Sequence, residues 1–319
     1  MYAALIGFIR DQYRTTGFIP LHAPVFRGRE RDYVMETIDS TFVSSVGAFV
    51  DRFEHDMAHY TGSPRAIAAV NGTAALHMAL LLAGVRGGDL VITQSLTFIA
   101  TCNAISYCGA QPLFIDVDRH TLGLSPASLE AWLTDYARLD DDGLCRERGA
   151  EGRVIRACLP MHTFGHPADL DGLVSVCGRW GLALVEDAAE SLGSYYKGRH
   201  TGTIGLLGTL SFKGNKIITT GGGGMILTNE SIGQRAKHLT TTAKVPHPFE
   251  FFHDEVGYNY RLPNLNAALG CAQLDQLNIF LAAKRELASR YAKQLKNSSL
   301  QFLEEPAHCQ SNYWLNAVI

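Results

Sequence analysis

Several features that mark particular classes of protein are scarce or absent in this sequence. Its seven cysteines are odd in number and form no C-x-x-C pair, which argues against a disulfide framework and against a zinc ribbon. Reduced thiols in the cytosol are the simpler interpretation. We therefore expect a cytoplasmic protein without a metal site.

An excess of positive charge and a long apolar run are also lacking. The 28 lysines and arginines are outnumbered by 31 aspartates and glutamates, so the net charge of −3 provides no basic field to hold a nucleic-acid backbone. The apolar run from Met1 to Phe8 is soon followed by Arg10 and Asp11, which makes it too short for a signal peptide or a spanning helix. The sequence therefore predicts no nucleic-acid partner and no membrane contact.

What the sequence does contain is typical of a layered α/β enzyme. Its 319 residues are 46% hydrophobic and include 31 glycines, enough for a sizeable core in one or two domains. Short apolar runs predict strands and the segments between them predict helices: strands at 90–93, 112–117, 154–160 and 182–186, and helices at 74–83, 97–107 and 169–180. This alternation indicates a parallel sheet with right-handed crossovers.

The pattern changes in the last quarter of the chain. Two nearly continuous helices are predicted there, at 264–277 and 281–295. The segment Pro246–Gly257, rich in Pro, His and Phe, precedes them and is a soft domain boundary. We therefore predict a large domain over residues 1–250, with an N-terminal arm, and a smaller one over residues 251–319.

The first candidate site lies at the start of a predicted helix. Gly72, Thr73 and Ala74 follow Asn71 there, and small residues with a hydroxyl leave backbone N–H groups free at the positive end of the helix dipole. Such a helix start can bind an anion. The alternative is an ordinary helix cap made by Thr73 after a tight glycine turn.

A second candidate lies where an apolar strand is predicted to end. Glu186, Asp187 and Glu190 follow Val185, at the edge of the sheet where open α/β folds bind their ligands. A carboxylate in that position can pair with a buried cation such as a protonated ring nitrogen. The alternative is that these side chains only cap a helix.

The third candidate is a lysine between a serine and a run of glycines. Lys216 follows Ser211 and precedes Gly221–Gly224, an arrangement typical of a lysine held for Schiff-base chemistry. A Walker A loop is excluded because Asn215 separates Gly214 from the lysine, and no G-x-G-x-x-G follows a strand. The alternative is an exposed lysine beside a flexible glycine turn.

Six segments follow one another along the chain: Asn71–His77, Leu96–Thr101, Met161–Asp169, Glu186–Glu190, Ser211–Gly224 and Gly257–Arg261. In this order they resemble the DegT/DnrJ/EryC1/StrS family of nucleotide-sugar aminotransferases. The resemblance extends from about Ile19 to the C-terminus. It implies the aspartate aminotransferase-like fold (fold type I), a three-layer α/β/α large domain that binds pyridoxal 5'-phosphate (PLP, or PMP in the aminated form), and a smaller C-terminal domain.

The resemblance also implies a role for each motif residue in cofactor chemistry. Lys216 would carry the cofactor, Asp187 would pair with its ring nitrogen, and Glu190 stands where the family often has Gln or His facing the ring hydroxyl. Lys216 would then move the proton that makes the reaction a transamination. L-Glutamate is the expected amino donor.

The remaining implied roles concern binding. Phe98 would stack on the ring, while Thr73 with its adjoining amides and Ser211 would hold the phosphate. Asn259, and with it Arg261, would reach the site from the partner subunit of a homodimer with shared active sites. Arg261 and His22 are candidates for substrate binding.

Three segments point to a subgroup of the family. Phe18–Phe26, which contains His22, Thr41–Gly47 and Gly214–Thr220 most resemble enzymes that aminate C4 of UDP- or GDP-linked 4-keto-6-deoxy N-acetylated hexoses. Those amino sugars lead to legionaminic acid or bacillosamine-type sugars. We therefore expect a nucleotide-sugar substrate and a place in the biosynthesis of a surface polysaccharide or lipopolysaccharide.

Two alternatives remain at this stage. Some family members are dehydratases in which a histidine replaces the lysine, so the presence of Lys216 favours transamination. A non-catalytic protein with the PLP fold is the other. It is linked to a further expectation: family chains normally continue beyond a strand at Asn312–Leu315, whereas this sequence stops at Ile319, so the small domain is expected to be truncated.

Overall fold

The computed structural model describes residues 2–319. Its helices are α1 (Tyr2–Tyr13), α2 (Glu30–Asp39), α3 (Ala48–Thr61), α4 (Gly72–Leu82), α5 (Ile99–Tyr107), α6 (Pro126–Tyr136), α7 (Leu170–Trp180), α8 (Glu230–Thr240), α9 (Asn264–Leu274) and α10 (Leu277–Leu295). Its strands are β1 (Arg65–Ala69), β2 (Leu90–Gln94), β3 (Gln111–Ile115), β4 (Ala137–Leu139), β5 (Cys145–Glu147), β6 (Ile155–Leu159), β7 (Ala183–Asp187), β8 (Tyr195–Tyr196), β9 (Arg199–His200), β10 (Leu207–Ser211), β11 (Gly224–Thr228), β12 (Lys244–Val245), β13 (Phe252–His253) and β14 (Cys309–Gln310). A short 3₁₀ turn spans Thr163–Gly165.

A seven-stranded sheet in the order β1-β11-β10-β7-β6-β2-β3 organises the chain. The prediction of a parallel sheet is confirmed for the strands from which it was made, β2, β3, β6 and β7, and β10 continues them in parallel. The sheet also contains β11, which the alternation did not predict and which runs antiparallel to both β10 and β1. The reason is the connection between β10 and β11. It carries no crossover helix, so the chain can only return in the opposite direction.

Helices cover both faces of this sheet, which confirms the predicted three layers. Successive residues of a strand point to opposite faces, and β1 shows this directly. Ile67 belongs to an apolar cluster with residues of α4, α5 and α8, while Ala66 and Ala68 belong to another with residues of α3 and α9. A third cluster, between the sheet and α6 and α7, completes the second face. The carboxyl ends of β6, β7 and β10 are therefore held between two helical layers.

The helices predicted after Leu262 exist, but their boundary differs. The first ends at Leu274 and the second already begins at Leu277. The side-chain oxygen of Asn264, the first residue of α9, accepts hydrogen bonds from the amides of Phe49 and Val50, and α9 packs against α2 and α3. The domain division at residue 250 stays a prediction.

The C-terminal segment packs on α10. Tyr291 and Leu295 of α10 contact Phe302 and Tyr313 in a separate apolar cluster. The strand expected at Asn312–Leu315 is wrong, because these residues form a bend whose polar groups are bonded by side chains and loops instead of a neighbouring strand. Among residues 2–319, no helix is both long and apolar enough to cross a membrane.

Candidate functional site

A cavity of about 680 Å³ opens at the carboxyl ends of β7 and β10, beside the start of α4. Ligands of open α/β sheets bind at this edge. Eight of the residues singled out from the sequence line it together: Gly72, Thr73, Ala74, Phe98, Asp187, Glu190, Ser211 and Lys216. Motifs spread over more than a hundred residues of sequence therefore meet in one place.

The start of α4 forms one wall of this cavity. The side chain of Asn71 caps the helix by accepting a hydrogen bond from the Ala74 amide at 2.8 Å, so the interpretation of Thr73 as the cap is wrong. The amides of Gly72 and Thr73 have no acceptor within the helix, as in any first turn. A Cβ on Gly72 would lie 2.8 Å from the Cβ of Ser211, so the helix start and the serine form a cradle with no room for another side chain.

Asp187 lies at the base of the cavity, at the end of β7. It is 2% exposed, and its two carboxylate oxygens accept hydrogen bonds from the Thr101 hydroxyl at 2.8 Å and the Ala189 amide at 3.2 Å. Burial raises the pKa of this carboxyl, and those hydrogen bonds oppose only part of the effect. Its ionised form therefore favours a cation in the cavity.

The neighbouring Glu186 points to the opposite face and has a different function. Its carboxylate accepts a hydrogen bond from His162 at 3.0 Å and from the amides of Gly202, Ile204 and Gly205 at 2.7 Å each. Burial by itself would raise the pKa of Glu186, but these hydrogen bonds outweigh it and lower the pKa. Glu186 thus fixes the loop before β10 and does not line the cavity.

Lys216 enters the cavity from the loop between β10 and β11. Its side chain is only 13% exposed, which contradicts the alternative of an exposed lysine beside a flexible turn. Its Nζ lies 3.6 Å from a carboxylate oxygen of Glu190, whose other oxygen accepts a hydrogen bond from the Phe164 amide at 2.9 Å. Burial lowers the pKa of Lys216 and raises that of Glu190, while their mutual attraction opposes both shifts.

Three of the residues proposed from sequence lie outside the lining of this cavity. Asn259 is exposed and pairs with Thr241. Arg261 pairs with Ala69 in an isolated bridge, and its buried Nε has no hydrogen-bond partner among the described residues. His22 lies near the half-buried Lys284 of α10, and burial together with that positive charge lowers the pKa of the imidazole to about 4.

The structure adds residues that the sequence reasoning missed. Trp314 lines the cavity from the C-terminal segment, with Tyr107, Met161 and Tyr260 from other elements. Thr101 belongs to the motif Leu96–Thr101, but the sequence did not predict its contact with Asp187. Thr101 lies about one helical turn after Phe98, and this spacing could have indicated that both face the cavity. No local pattern marked Trp314.

The arrangement matches a planar, phosphorylated cation with a reactive carbonyl. The free amides at the start of α4 and the Ser211 hydroxyl suit a phosphate, the buried Asp187 carboxylate suits a protonated ring nitrogen, and Lys216 supplies an amine. Phe98, which is 59% exposed, presents an aromatic face at the cavity wall. The residues present therefore fit pyridoxal phosphate.

Comparison with known proteins agrees with this fit. The model of the DegT/DnrJ/EryC1/StrS aminotransferase family matches residues 25–319. GDP-perosamine synthase from Escherichia coli O157:H7 is 38% identical over 303 residues, which are 95% of this chain and 78% of that protein. GDP-perosamine synthase from Caulobacter vibrioides is 41% identical over 278 residues, 87% of this chain and 70% of that protein.

A solved structure shows the same fold. The aminotransferase TlmJ from Streptoalloteichus hindustanus superposes with a TM-score of 0.84 at 29% identity, covering 95% of this chain and 78% of that one. The expectation of an aspartate aminotransferase-like fold is thereby confirmed.

Proposed function

Because the chain belongs to the DegT/DnrJ/EryC1/StrS aminotransferase family, and so is a PLP-dependent sugar aminotransferase, we propose that it transfers an amino group from L-glutamate to C4 of a GDP-linked 4-keto-6-deoxyhexose. The observation that carries this proposal is the single cavity in which Lys216, Asp187 and the start of α4 meet. The donor, the nucleotide and the aminated carbon are the proposed part.

The choice of GDP rests on the relatives. Two proteins 38% and 41% identical to this chain are GDP-perosamine synthases, so each is named for making a GDP-linked sugar. The N-acetylated hexoses suggested by residues 18–26, 41–47 and 214–220 remain the alternative substrate class. Lipopolysaccharide or another surface polysaccharide is the proposed destination of the product.

The proposed mechanism assigns proton handling to two side chains. Bound pyridoxal phosphate supplies an electron sink for the carbon that loses a proton. Asp187 holds a proton on the ring nitrogen through a charge-assisted hydrogen bond, and its buried position excludes water from that contact. Lys216 Nζ would take the proton from the α-carbon of the donor and deliver it to the cofactor carbon that keeps the amino group. Burial, by lowering the pKa of Lys216, favours the neutral amine that accepts this proton.

Binding is assigned to the opposite wall. The amides of Gly72 and Thr73 and the hydroxyl of Ser211 would hold the phosphate, where the helix dipole favours negative charge. Phe98 would cover one face of the ring. Glu190, beside Lys216, would face the ring hydroxyl; burial raises the pKa of this carboxyl, and the positive charge of Lys216 opposes that shift.

A screen of substrates tests the proposal. The chain is incubated with PLP, L-glutamate and GDP- or UDP-linked 4-keto-6-deoxyhexoses, with and without an N-acetyl group, and products are read by mass spectrometry. We expect a GDP-linked product in which an amino group replaces the keto oxygen, and none with Lys216→Ala. Amination of UDP-linked N-acetylated sugars alone would refute the choice of GDP, loss of water would indicate a dehydratase, and bound PLP without turnover would indicate a non-catalytic protein.

We also propose a homodimer with shared active sites. Asn259 is exposed and does not line the cavity of its own chain, as expected of a residue that serves the partner. Phe98 and Ile99 leave 59% and 60% of their surface uncovered at the edge of the site. A two-fold interface over this edge would cover them.

A mixing experiment tests the shared sites. Lys216→Ala and Asn259→Ala proteins are combined under conditions of subunit exchange, with sedimentation at micromolar concentration to measure assembly. Each hybrid dimer would contain one intact site, so partial recovery of the L-glutamate half-reaction is expected. A monomer that binds PLP tightly, or no recovery despite exchange, contradicts the proposal.

A further inference from the structure

Trp314 contacts the lysine of the active site from a distant part of the chain. The Nζ of Lys216 lies 4.1 Å from the centroid of the indole ring, and Glu190 lies 3.6 Å away from the same nitrogen. The ring face of tryptophan attracts an ammonium group more strongly than that of the other aromatic side chains. Lys216 is therefore placed between two groups that both favour its charged form.

Hydrogen bonds hold Trp314 in this position. The indole N–H donates to the backbone oxygen of Asn215 at 2.6 Å, and the backbone oxygen of Trp314 accepts from Nζ of Lys284 at 2.9 Å. Its backbone amide donates to the side-chain oxygen of Asn312 at 2.8 Å. The ring is thus fixed both to the loop that carries Lys216 and to α10.

Asn312 extends this arrangement to the other neighbour of the lysine. Its side-chain amide donates at 2.9 Å to the backbone oxygens of both Glu190 and Leu192. The same side chain therefore bonds the backbones of Trp314 and Glu190, the two residues that flank the Lys216 amine. A buried network with all these groups paired restricts the geometry that each of them can adopt.

We propose that Trp314 is a positioning residue for Lys216: its ring face stabilises the ammonium form and holds the amine against Glu190. The consequence of this contact for catalysis rests on the proposed function. In that function Lys216 Nζ carries a proton from the time it accepts the proton until it delivers it. A protonated amine held by a fixed ring stays within reach of the reacting carbons. An unrestrained lysine would sample other rotamers.

The contact can be tested without turnover. The 319-residue protein is freed of cofactor and treated with a low concentration of acetic anhydride across a range of pH, and acetylation of Lys216 is measured by peptide mass spectrometry. Only the neutral amine reacts, so the midpoint of the pH profile reports how strongly the site favours the ammonium form. The rate of acetylation at high pH, where the amine is fully neutral, reports instead how accessible the Lys216 amine is. The midpoint of the profile is therefore read independently of access.

Three variants give the expected order. Trp314→Leu removes the aromatic face, so its midpoint should be lower and its acetylation below the midpoint about tenfold faster than that of the wild type. Trp314→Phe keeps a weaker aromatic face and should lie between the two. Trp132→Phe, at a half-buried tryptophan of α6, is the matched control and should not differ from the wild type.

Equal midpoints for the wild type and Trp314→Leu, or a higher midpoint in the leucine variant, would overturn the inference. If Trp314→Leu does not fold, as judged by circular dichroism, Lys284→Met replaces it. This change removes the hydrogen bond to the Trp314 backbone oxygen together with the positive charge near His22, and it should move the midpoint in the same direction.

The L-glutamate half-reaction separates the two proposals. If the wild type and its variants show the expected order of midpoints but the wild type does not transaminate, the proposed function is refuted and the role of Trp314 stands. Transamination with no difference among the midpoints refutes the role of Trp314 alone.

Discussion

Replacing Asp187 with asparagine is expected to slow the half-reaction with L-glutamate by a factor of about 10² to 10⁴. The side chains have nearly the same shape, and asparagine can keep both contacts: its oxygen accepts from the Ala189 amide, and its NH2 group donates to the Thr101 hydroxyl, which donates to the carboxylate in the wild type. What is lost is the negative charge opposite a buried ring cation. Removing one partner of a buried ion pair costs about 3–5 kcal/mol, and each 1.36 kcal/mol added to a barrier is about tenfold in rate.

The same change should stabilise the protein when no cofactor is present. Burial raises the pKa of Asp187 above its unfolded value, so this carboxyl supports folding only while protonated, and its contribution is lost as the pH rises through the raised pKa. Asparagine carries no charge. The cofactor-free variant should therefore melt at a higher temperature than the wild type near neutral pH, and the difference should narrow in acid.

The assay combines two measurements. Stopped-flow absorbance follows the loss of the yellow colour on mixing the PLP-loaded protein with L-glutamate, and thermal melting compares the cofactor-free proteins between acid and neutral pH. Asp171→Asn, at an exposed carboxylate on α7, is the control for the loss of one charge. A half-reaction within threefold of the wild type would show that Asp187 is only structural and would refute the reasoning.

Three further changes have definite expected outcomes. Lys216→Ala should abolish both the visible absorbance of the bound cofactor and turnover, and a borohydride-reducible PLP adduct at another lysine would contradict this. Glu186→Gln should destabilise the fold by about 1–3 kcal/mol in urea unfolding, because an amide nitrogen cannot accept and so leaves a backbone donor of the loop before β10 unpaired. Since the pKa of Glu186 is lowered, the loss should shrink as the pH falls through that pKa, and an unchanged difference in acid would argue against a role for the carboxylate charge. Gly72→Ala should weaken PLP binding, measured by absorbance titration, because its Cβ would meet Ser211 at 2.8 Å, and wild-type affinity would show that the cradle is not the phosphate site.

The sequence by itself determined the layered fold and pointed to residues that line the cavity, because local patterns mark the ends of strands and the starts of helices. The alternation of apolar runs and helix formers predicted β2, β3, β6 and β7 to within a few residues. Asp187 and Ser211 each stand at the end of a strand, and Gly72 stands at the start of a helix. Parallel strands bring their carboxyl ends to one edge, so these motifs had to meet there.

Only the tertiary structure decided which neighbouring groups face the cavity. Glu186 and Asp187 are adjacent carboxylates, and the sheet sends one to the loop before β10 and the other to the ligand edge. Because successive side chains of a strand alternate, the sequence shows that Glu186 and Asp187 point in opposite directions. It does not show which of the two faces the cavity. The return direction of β11 was likewise set by the connection that carries Lys216.

Trp314 was beyond the reach of any local pattern. It is 99 residues from Asn215, whose backbone oxygen it contacts, and it reaches the cavity through a bend that was expected to be a strand. Its position depends on two long-range hydrogen bonds, one that its indole N–H donates to Asn215 and one that its backbone oxygen accepts from Lys284. Contacts of this kind arise from packing among elements distant in the chain, so they are decided only when the whole chain folds.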